Sequence, residues 1–172
     1  MRIAVSGTHR TGKTSLVEAL AGVLPGYAVR EEPYRLLEED GYEFADPPTV
    51  EDFERQLELS REILASAPAN VLLDRCSLDF IAYMQAKGED VDVDDLRDEI
   101  ASLDLIVVVP IETPDRIALP AHEDRRLRRL VDEHLRRLVV DDPHGFEANV
   151  LEVSGGLEDR IRQVTRAMQN AK

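Results

Sequence analysis

The sequence predicts an α/β fold built on a parallel sheet, and three observations predict it. Five short runs are rich in valine, isoleucine and leucine. Stretches with helical periodicity separate them. The first run leads directly into a glycine-punctuated turn carrying a lysine. Runs that are apolar on both faces suit strands covered by helices on each side, and strand alternating with helix implies right-handed crossovers in one sheet.

In chain order the strand-like runs are 2–6, 27–31, 70–74, 103–109 and 149–154. The first, third and fourth are almost unbroken in Ile, Val and Leu, as expected for the middle of a sheet. Helical periodicity covers 13–24 (Leu16, Leu20, Val23 and Leu24 on one face), 50–66, 78–86, 91–102, 125–140 and 157–169. The connections are short and marked by Pro and Gly, with no internal repeat or break, so the reading is a single domain over 1–172.

Composition narrows function by exclusion. The chain has 172 residues, 43% of them hydrophobic and 33% charged, which suits a globular core. The net charge of −14 argues against bulk attraction to nucleic acid or to an anionic membrane. The one cysteine, Cys76, excludes an internal disulfide, and no His or Cys companions stand at zinc spacing. No apolar run approaches a membrane span and no signal core opens the sequence, so the expected location is cytoplasmic. Charge is segregated: residues 31–60 hold 11 acids and 2 bases, whereas residues 116–137 hold 7 arginines and 4 acids.

The first strand runs into Gly7-Thr8-His9-Arg10-Thr11-Gly12-Lys13-Thr14, followed by Ser15, matching G-x-x-x-x-G-K-[ST] at every fixed position. The glycines permit backbone conformations and close approaches that a side chain would block. Successive N–H groups and the start of the following helix then face an anion. Lys13 supplies a mobile positive charge for outer phosphates, and the Thr14 hydroxyl can ligate Mg²⁺. His9 reads as filler pointing outward. The third strand ends in Asp74-Arg75. An acid there is a hard oxygen ligand for a nucleotide-bound Mg²⁺, or else a cap for the next helix.

These residues resemble the P-loop kinases of the nucleoside and nucleotide kinase superfamily. They are close to small bacterial AAA-type ATPase/kinase proteins related to nicotinamide riboside kinases. The resemblance implies a three-layer P-loop NTPase fold, ATP and Mg²⁺ as cofactors, and a small-molecule phosphoryl acceptor. Deoxynucleoside kinases carry Glu-Pro after the second strand, and that Glu takes the acceptor's proton. Glu32-Pro33 matches it, with Glu31 in reserve. Asp74-Arg75-Cys76-Ser77 falls between the Glu-Arg-Ser of those kinases and the Asp-Arg of thymidylate kinases. The Gln and Arg of the next helix are matched only loosely, by Arg55-Gln56 and Ser60-Arg61.

The resemblance also implies an arginine-bearing lid at about 111–129, holding Arg116, Arg125, Arg126, Arg128 and Arg129. Arg116 and Arg125 flank a non-periodic stretch and are the favoured lid residues. A helical wheel leaves Arg125, Arg129 and Arg136 facing either solvent or a closing cleft. The turn Ser154-Gly155-Gly156 either holds adenine, as the resemblance implies, or is an ordinary strand-to-helix turn.

Four functions remain open, of which a polynucleotide kinase is disfavoured by the net charge of −14. One is a kinase for a nucleoside-like hydroxyl; another is a nucleoside monophosphate kinase, for which Arg30, Arg35, Arg61 and Arg75 could hold the acceptor phosphate. The third is a non-kinase regulatory ATPase. The assembly expected is a monomer or homodimer.

Overall fold

The computed structural model describes residues 1–120 and 124–170. Its strands are β1 (Arg2–Ser6), β2 (Ala28–Arg30), β3 (Val71–Asp74), β4 (Leu105–Val108) and β5 (Val150–Glu152). Its helices are α1 (Lys13–Val23), α2 (Pro33–Glu39), α3 (Val50–Ala65), α4 (Ser77–Ala86), α5 (Arg97–Ala101), α6 (Arg125–Arg136) and α7 (Leu157–Asn170). A 3₁₀ turn (Asp94–Leu96) precedes α5, and a π turn (Arg137–Asp141) extends α6.

All five strands are parallel, in the order β2-β3-β1-β4-β5. The register sets Val5 beside Asp74 and Ser6 beside Val108. The carboxyl ends of β3, β1 and β4 therefore finish level, where ligands gather in open α/β sheets. One face of the sheet packs Ala4, Leu73, Ile106 and Val108 against side chains that include Phe53, Leu78, Ile81, Val131 and Leu135. The other packs Ile3, Val5, Leu72 and Val107 against Leu16, Leu20, Val164 and Met168. Ile3, Leu16, Leu72 and Ile106 are fully buried, and each such side chain contributes ~1.5–3 kcal/mol. This anchorage fixes the loop after β1.

Three elements differ from the sequence expectation. Residues 91–102 form only the 3₁₀ turn and the short α5. The Asp92 carboxylate accepts from Asp94 N at 3.0 Å, a local turn that competes with helix in a run of like charges. The helix expected over 125–140 changes to π geometry at Arg137 and ends where Asp142 turns left-handed (φ 46°), its carboxylate accepting from Phe146 N and Glu147 N. The seven-residue α2 was not expected; Pro33 opens it, but it is too short to show a period.

Candidate active site

The loop between β1 and α1 depends on two glycines. A Cβ at Gly7 would lie 2.5 Å from the carbonyl oxygen of Val109, so only glycine lets the loop leave the sheet there. Gly12 caps α1 in a left-handed conformation (φ 89°) and offers no side chain to the first turn, which carries no acid. The leading N–H groups of Lys13, Thr14 and Ser15 therefore remain available to an anion, favoured further by the helix dipole. The loop side chains Thr8 and Thr11 are buried, and Thr11 Oγ1 donates to Thr8 O at 3.1 Å.

Lys13 is 5% exposed and donates to Thr8 O at 2.8 Å. Burial, reinforced by the Arg75 charge, pushes its pKa down to about 8, against the pull of Asp74, Asp79 and Glu32. Thr14 Oγ1 donates to Asp74 Oδ2 at 2.6 Å. Asp74 is 3% exposed, and its other oxygen, Oδ1, has no hydrogen-bond partner among the described residues. Burial raises its pKa, while the Thr14 bond and the Lys13 and Arg75 charges oppose the rise. An unsatisfied buried oxygen beside a threonine hydroxyl is a hard-oxygen donor set that fits Mg²⁺. Among the described residues no group of three or more His, Cys, Asp and Glu could hold a metal by itself.

Arg75 follows with φ 82°, a left-handed conformation rare for a side-chain residue. Its guanidinium donates from Nε to Glu32 Oε2 at 3.0 Å, and from Nη1 to Gly7 O at 2.9 Å and Asp79 Oδ1 at 3.2 Å. Glu32, the residue before α2, is thereby brought to the phosphate loop. Burial alone would raise its pKa, but the Arg75 and Lys13 charges and the Arg75 hydrogen bond together hold it below the usual carboxylate value. Thr14, Val17, Glu18, Val29, Glu31, Glu32, Arg35 and Asp74 line an open cleft of about 460 Å³. Glu31 lies on its rim, paired with Arg35 at 3.1 Å.

Sequence reasoning missed the supports beneath the loop. Asp79 is fully buried and accepts from Gly7 N at 2.9 Å and Cys76 N at 3.0 Å. The Tyr83 hydroxyl accepts from His9 N at 2.9 Å and lies 2.8 Å from His9 Nδ1. His9 is therefore turned onto Tyr83, not outward as expected, and its ring is held by that hydroxyl. Asp79 and Tyr83 are four residues apart and share one face of α4, but the spacing alone does not say that this face turns toward the loop.

The three arginines that the helical wheel sets opposite the apolar stripe, Arg125, Arg129 and Arg136, are exposed, one of the two placements it left open. Arg116 pairs with Glu112 at 2.6 Å on an exposed surface. Arg125 opens α6 and is exposed, as are Arg126 and Arg129. Arg128, in contrast, is 3% exposed and reaches the phosphate loop, as does Arg160 of α7, at 8%. The sequence offered no way to single out these two among 18 arginines. Ser154 is exposed, and Gly155 N donates to Glu112 Oε1 at 3.0 Å, which places the 154–156 turn beside Arg160. Residues 121–123 of the non-periodic stretch between Arg116 and Arg125 lie outside the described residues.

A family model described as an AAA domain matches residues 2–160. Among curated protein sequences none matches the chain. Solved structures do. Deoxyadenosine kinase from M. mycoides with bound dATP aligns with a TM-score of 0.70 at 16% identity, covering 98% of this chain and 100% of that one. Thymidylate kinase from Ehrlichia chaffeensis aligns at 0.65 and 16% identity, covering 98% of each. The NadR protein in complex with NR aligns at 0.67 and 25% identity over 95% of this chain but 48% of NadR, so the chain spans about half of that protein's length. It shares its fold with the solved deoxyadenosine and thymidylate kinases, and with the family model matched over most of its length the chain belongs to the AAA-domain family.

Proposed function

We propose that the protein is an ATP-dependent phosphotransferase that moves the γ-phosphoryl group to a hydroxyl of a small, nucleoside-like acceptor. The observation that carries this reading is the placement of Glu32 with Thr14 and Asp74 in one cleft, its carboxylate held by Arg75. A hydroxyl needs a group to take its proton, and a carboxylate kept ionised is ready to accept it. Phosphoryl transfer through a loose transition state demands positioning more than a strong base.

In this reading the acceptor oxygen attacks the γ-phosphorus, the bond to the β,γ-bridging oxygen breaks, and the acceptor proton passes to Glu32. Lys13 leaves the Thr8 carbonyl for the phosphate oxygens, where its charge offsets what develops in transfer. Thr14 and Asp74 would hold Mg²⁺, which supplies charge neutralisation at the phosphates. Arg116 and Arg125 are assigned to a lid over about 111–129 that closes on the triphosphate, and Ser154 and Gly155 to the adenine side.

A monophosphate acceptor would need arginines with donors to spare, and the buried candidate, Arg75, is the most heavily engaged. Arg75 is bound to Glu32, Asp79 and Gly7 O. Arg35 lies between Glu31 and Glu39, at 3.1 Å from each. Arg61 binds Asp95 and Glu99, and Arg30 donates to the carbonyl of Val29. The commitment of Arg75 to Glu32, Asp79 and Gly7 supports an uncharged hydroxyl as acceptor.

The test is ADP release from MgATP across a panel of nucleosides, nucleoside monophosphates and other small alcohols. Stimulation by a nucleoside or alcohol is expected. Stimulation by monophosphates alone would replace the reading with a nucleotide kinase, and ADP release independent of any acceptor would replace it with an ATPase.

A further inference from the structure

Two buried guanidiniums take the carbonyls of three successive residues of the phosphate loop. Arg128 donates from Nε to His9 O and from Nη2 to Arg10 O, each at 3.1 Å. Arg160 donates from Nη1 to Thr11 O at 2.7 Å. They come from α6 and α7, more than a hundred residues along the chain from the loop they hold. Each is itself fixed by a carboxylate: Asp115 lies 2.6 Å from Arg128 Nη1 and Glu112 lies 2.9 Å from Arg160 Nη2.

In a trans peptide the C=O of one residue and the N–H of the next lie in one plane and point in opposite directions. Tying down the carbonyls of His9, Arg10 and Thr11 therefore turns the N–H groups of Arg10, Thr11 and Gly12 away from the arginines. Arg10 is left-handed at φ 55° and Gly12 at 89°. Such reversals of hand gather successive N–H groups into an anion-binding concavity. The left-handed turn at Arg10 needs an external hold, because a side-chain residue without one prefers other conformations.

We propose that Arg128 and Arg160 are positioning residues that aim the loop's peptide N–H groups at the nucleotide's phosphates, with Asp115 and Glu112 fixing the two guanidiniums. The proposal rests on the nucleotide-binding reading of the loop. Glu112 also accepts from Gly155 N at 3.0 Å and from Arg116 Nε. One carboxylate thus ties the 154–156 turn, the start of the 111–120 segment and the Thr11 peptide together. A ligand contact at the turn acts on the loop's donors through it.

The positioning role differs measurably from direct contact with the γ-phosphate. Peptide donors that cradle inner phosphates are shared by ADP and ATP, so their misalignment weakens both nucleotides by one factor. Titration calorimetry with MgADP and MgATP on the full chain is expected to show Arg128→Met and Arg160→Met each weakening both ligands equally, by roughly tenfold. The acceptor KM is expected to stay at the wild-type value. Asp115→Asn and Glu112→Gln keep both guanidiniums and are expected to weaken both nucleotides equally but less, by about two- to fivefold. They carry the test if the arginine variants fail to fold. In ¹⁵N-labelled protein, the ADP-induced shift of the Gly12 amide should shrink in every variant.

Two results would overturn the proposal while leaving nucleotide binding intact. One is wild-type affinity in all four variants. The other is a loss many times larger for ATP than for ADP, which would make the arginines ligands of the γ-phosphate. If the wild-type chain bound neither nucleotide, the underlying reading would fail, and the proposal with it.

Discussion

The ammonium of Lys13 donates to a carbonyl of its own loop and is almost without water, which disfavours its charge. An arriving phosphate gives that charge a better partner. Lys13→Ala should therefore cost at least tenfold in ATP affinity, as read by calorimetry. Thr14→Val should instead flatten the Mg²⁺ dependence of ATP binding, because it removes the hydroxyl beside Asp74. Equal Mg²⁺ dependence in wild type and Thr14→Val would take this residue out of the metal site.

Glu32 makes a prediction about pH. Its pKa is lower in the folded protein than in the free chain, since Arg75 and Lys13 outweigh burial. Its ionised form thus stabilises the fold above the ordinary carboxylate range, and that contribution is lost as pH falls through the folded value. A base of this kind is already ionised at neutrality, so kcat should be flat between about pH 6 and 8. A kcat limb near pH 6.5, the ordinary value for histidine, would assign the proton transfer elsewhere. Glu32→Gln should lower kcat by ~10²–10⁴-fold and leave the Kd for ATP unchanged. Unchanged turnover would move the role to Glu31 or Asp74.

At the scale of elements, α4 acts as the bed of the phosphate loop. Its Asp79 serves the Cys76 cap, the Gly7 amide and the Arg75 guanidinium at once, with no exposure to water. Asp79→Ala would leave two buried N–H donors without an acceptor and take from Arg75 one of its two carboxylates, so urea unfolding should show a loss of roughly 3–5 kcal/mol. A loss under about 1 kcal/mol would mean that water or a shifted loop replaces the carboxylate.

The same helix shows what could be read in the sequence. The motif 7–14 and the acid closing β3 were legible because each lies beside a strand end, marked by an apolar run that stops, whereas Glu32 was reached through the resemblance of Glu32-Pro33 to the Glu-Pro of deoxynucleoside kinases. Asp79 and Tyr83 were not, because the sequence does not say which face of a helix turns toward a loop 70 residues away. Cysteine is also an unusual cap, so the Cys76–Asp79 box gave no signal. The box at Thr49 and Asp52 uses the ordinary residues, and the start of α3 was placed correctly. Burial of Arg128 and Arg160 depends on α6 and α7 both crossing the same loop, a tertiary fact with no local trace.

Across the whole molecule, the two helices that hold the loop also border the proposed lid. If the lid closes on the triphosphate, hydrogen exchange at 111–119 and over the first turn of α6 should slow when MgATP and acceptor are both present. Arg116→Ala with Arg125→Ala should lower kcat more than it raises the KM for ATP. Exchange unchanged by ligands, together with normal kcat, would make these two arginines surface charge only.

The central position of β1 has a bearing on how the chain is made. Arg2–Ser6 leaves the ribosome before both of the strands it pairs with, Val71–Asp74 and Leu105–Val108. At ~5–20 residues per second, Ile3 and Val5 wait several seconds for their first neighbour strand and longer for the second. During that interval a β-prone apolar segment stands unpaired, with the phosphate loop behind it unformed. Nascent chains halted before residue 105 should accordingly stay protease-sensitive throughout, and binding of a nucleotide should first appear only after β4 has emerged from the exit tunnel.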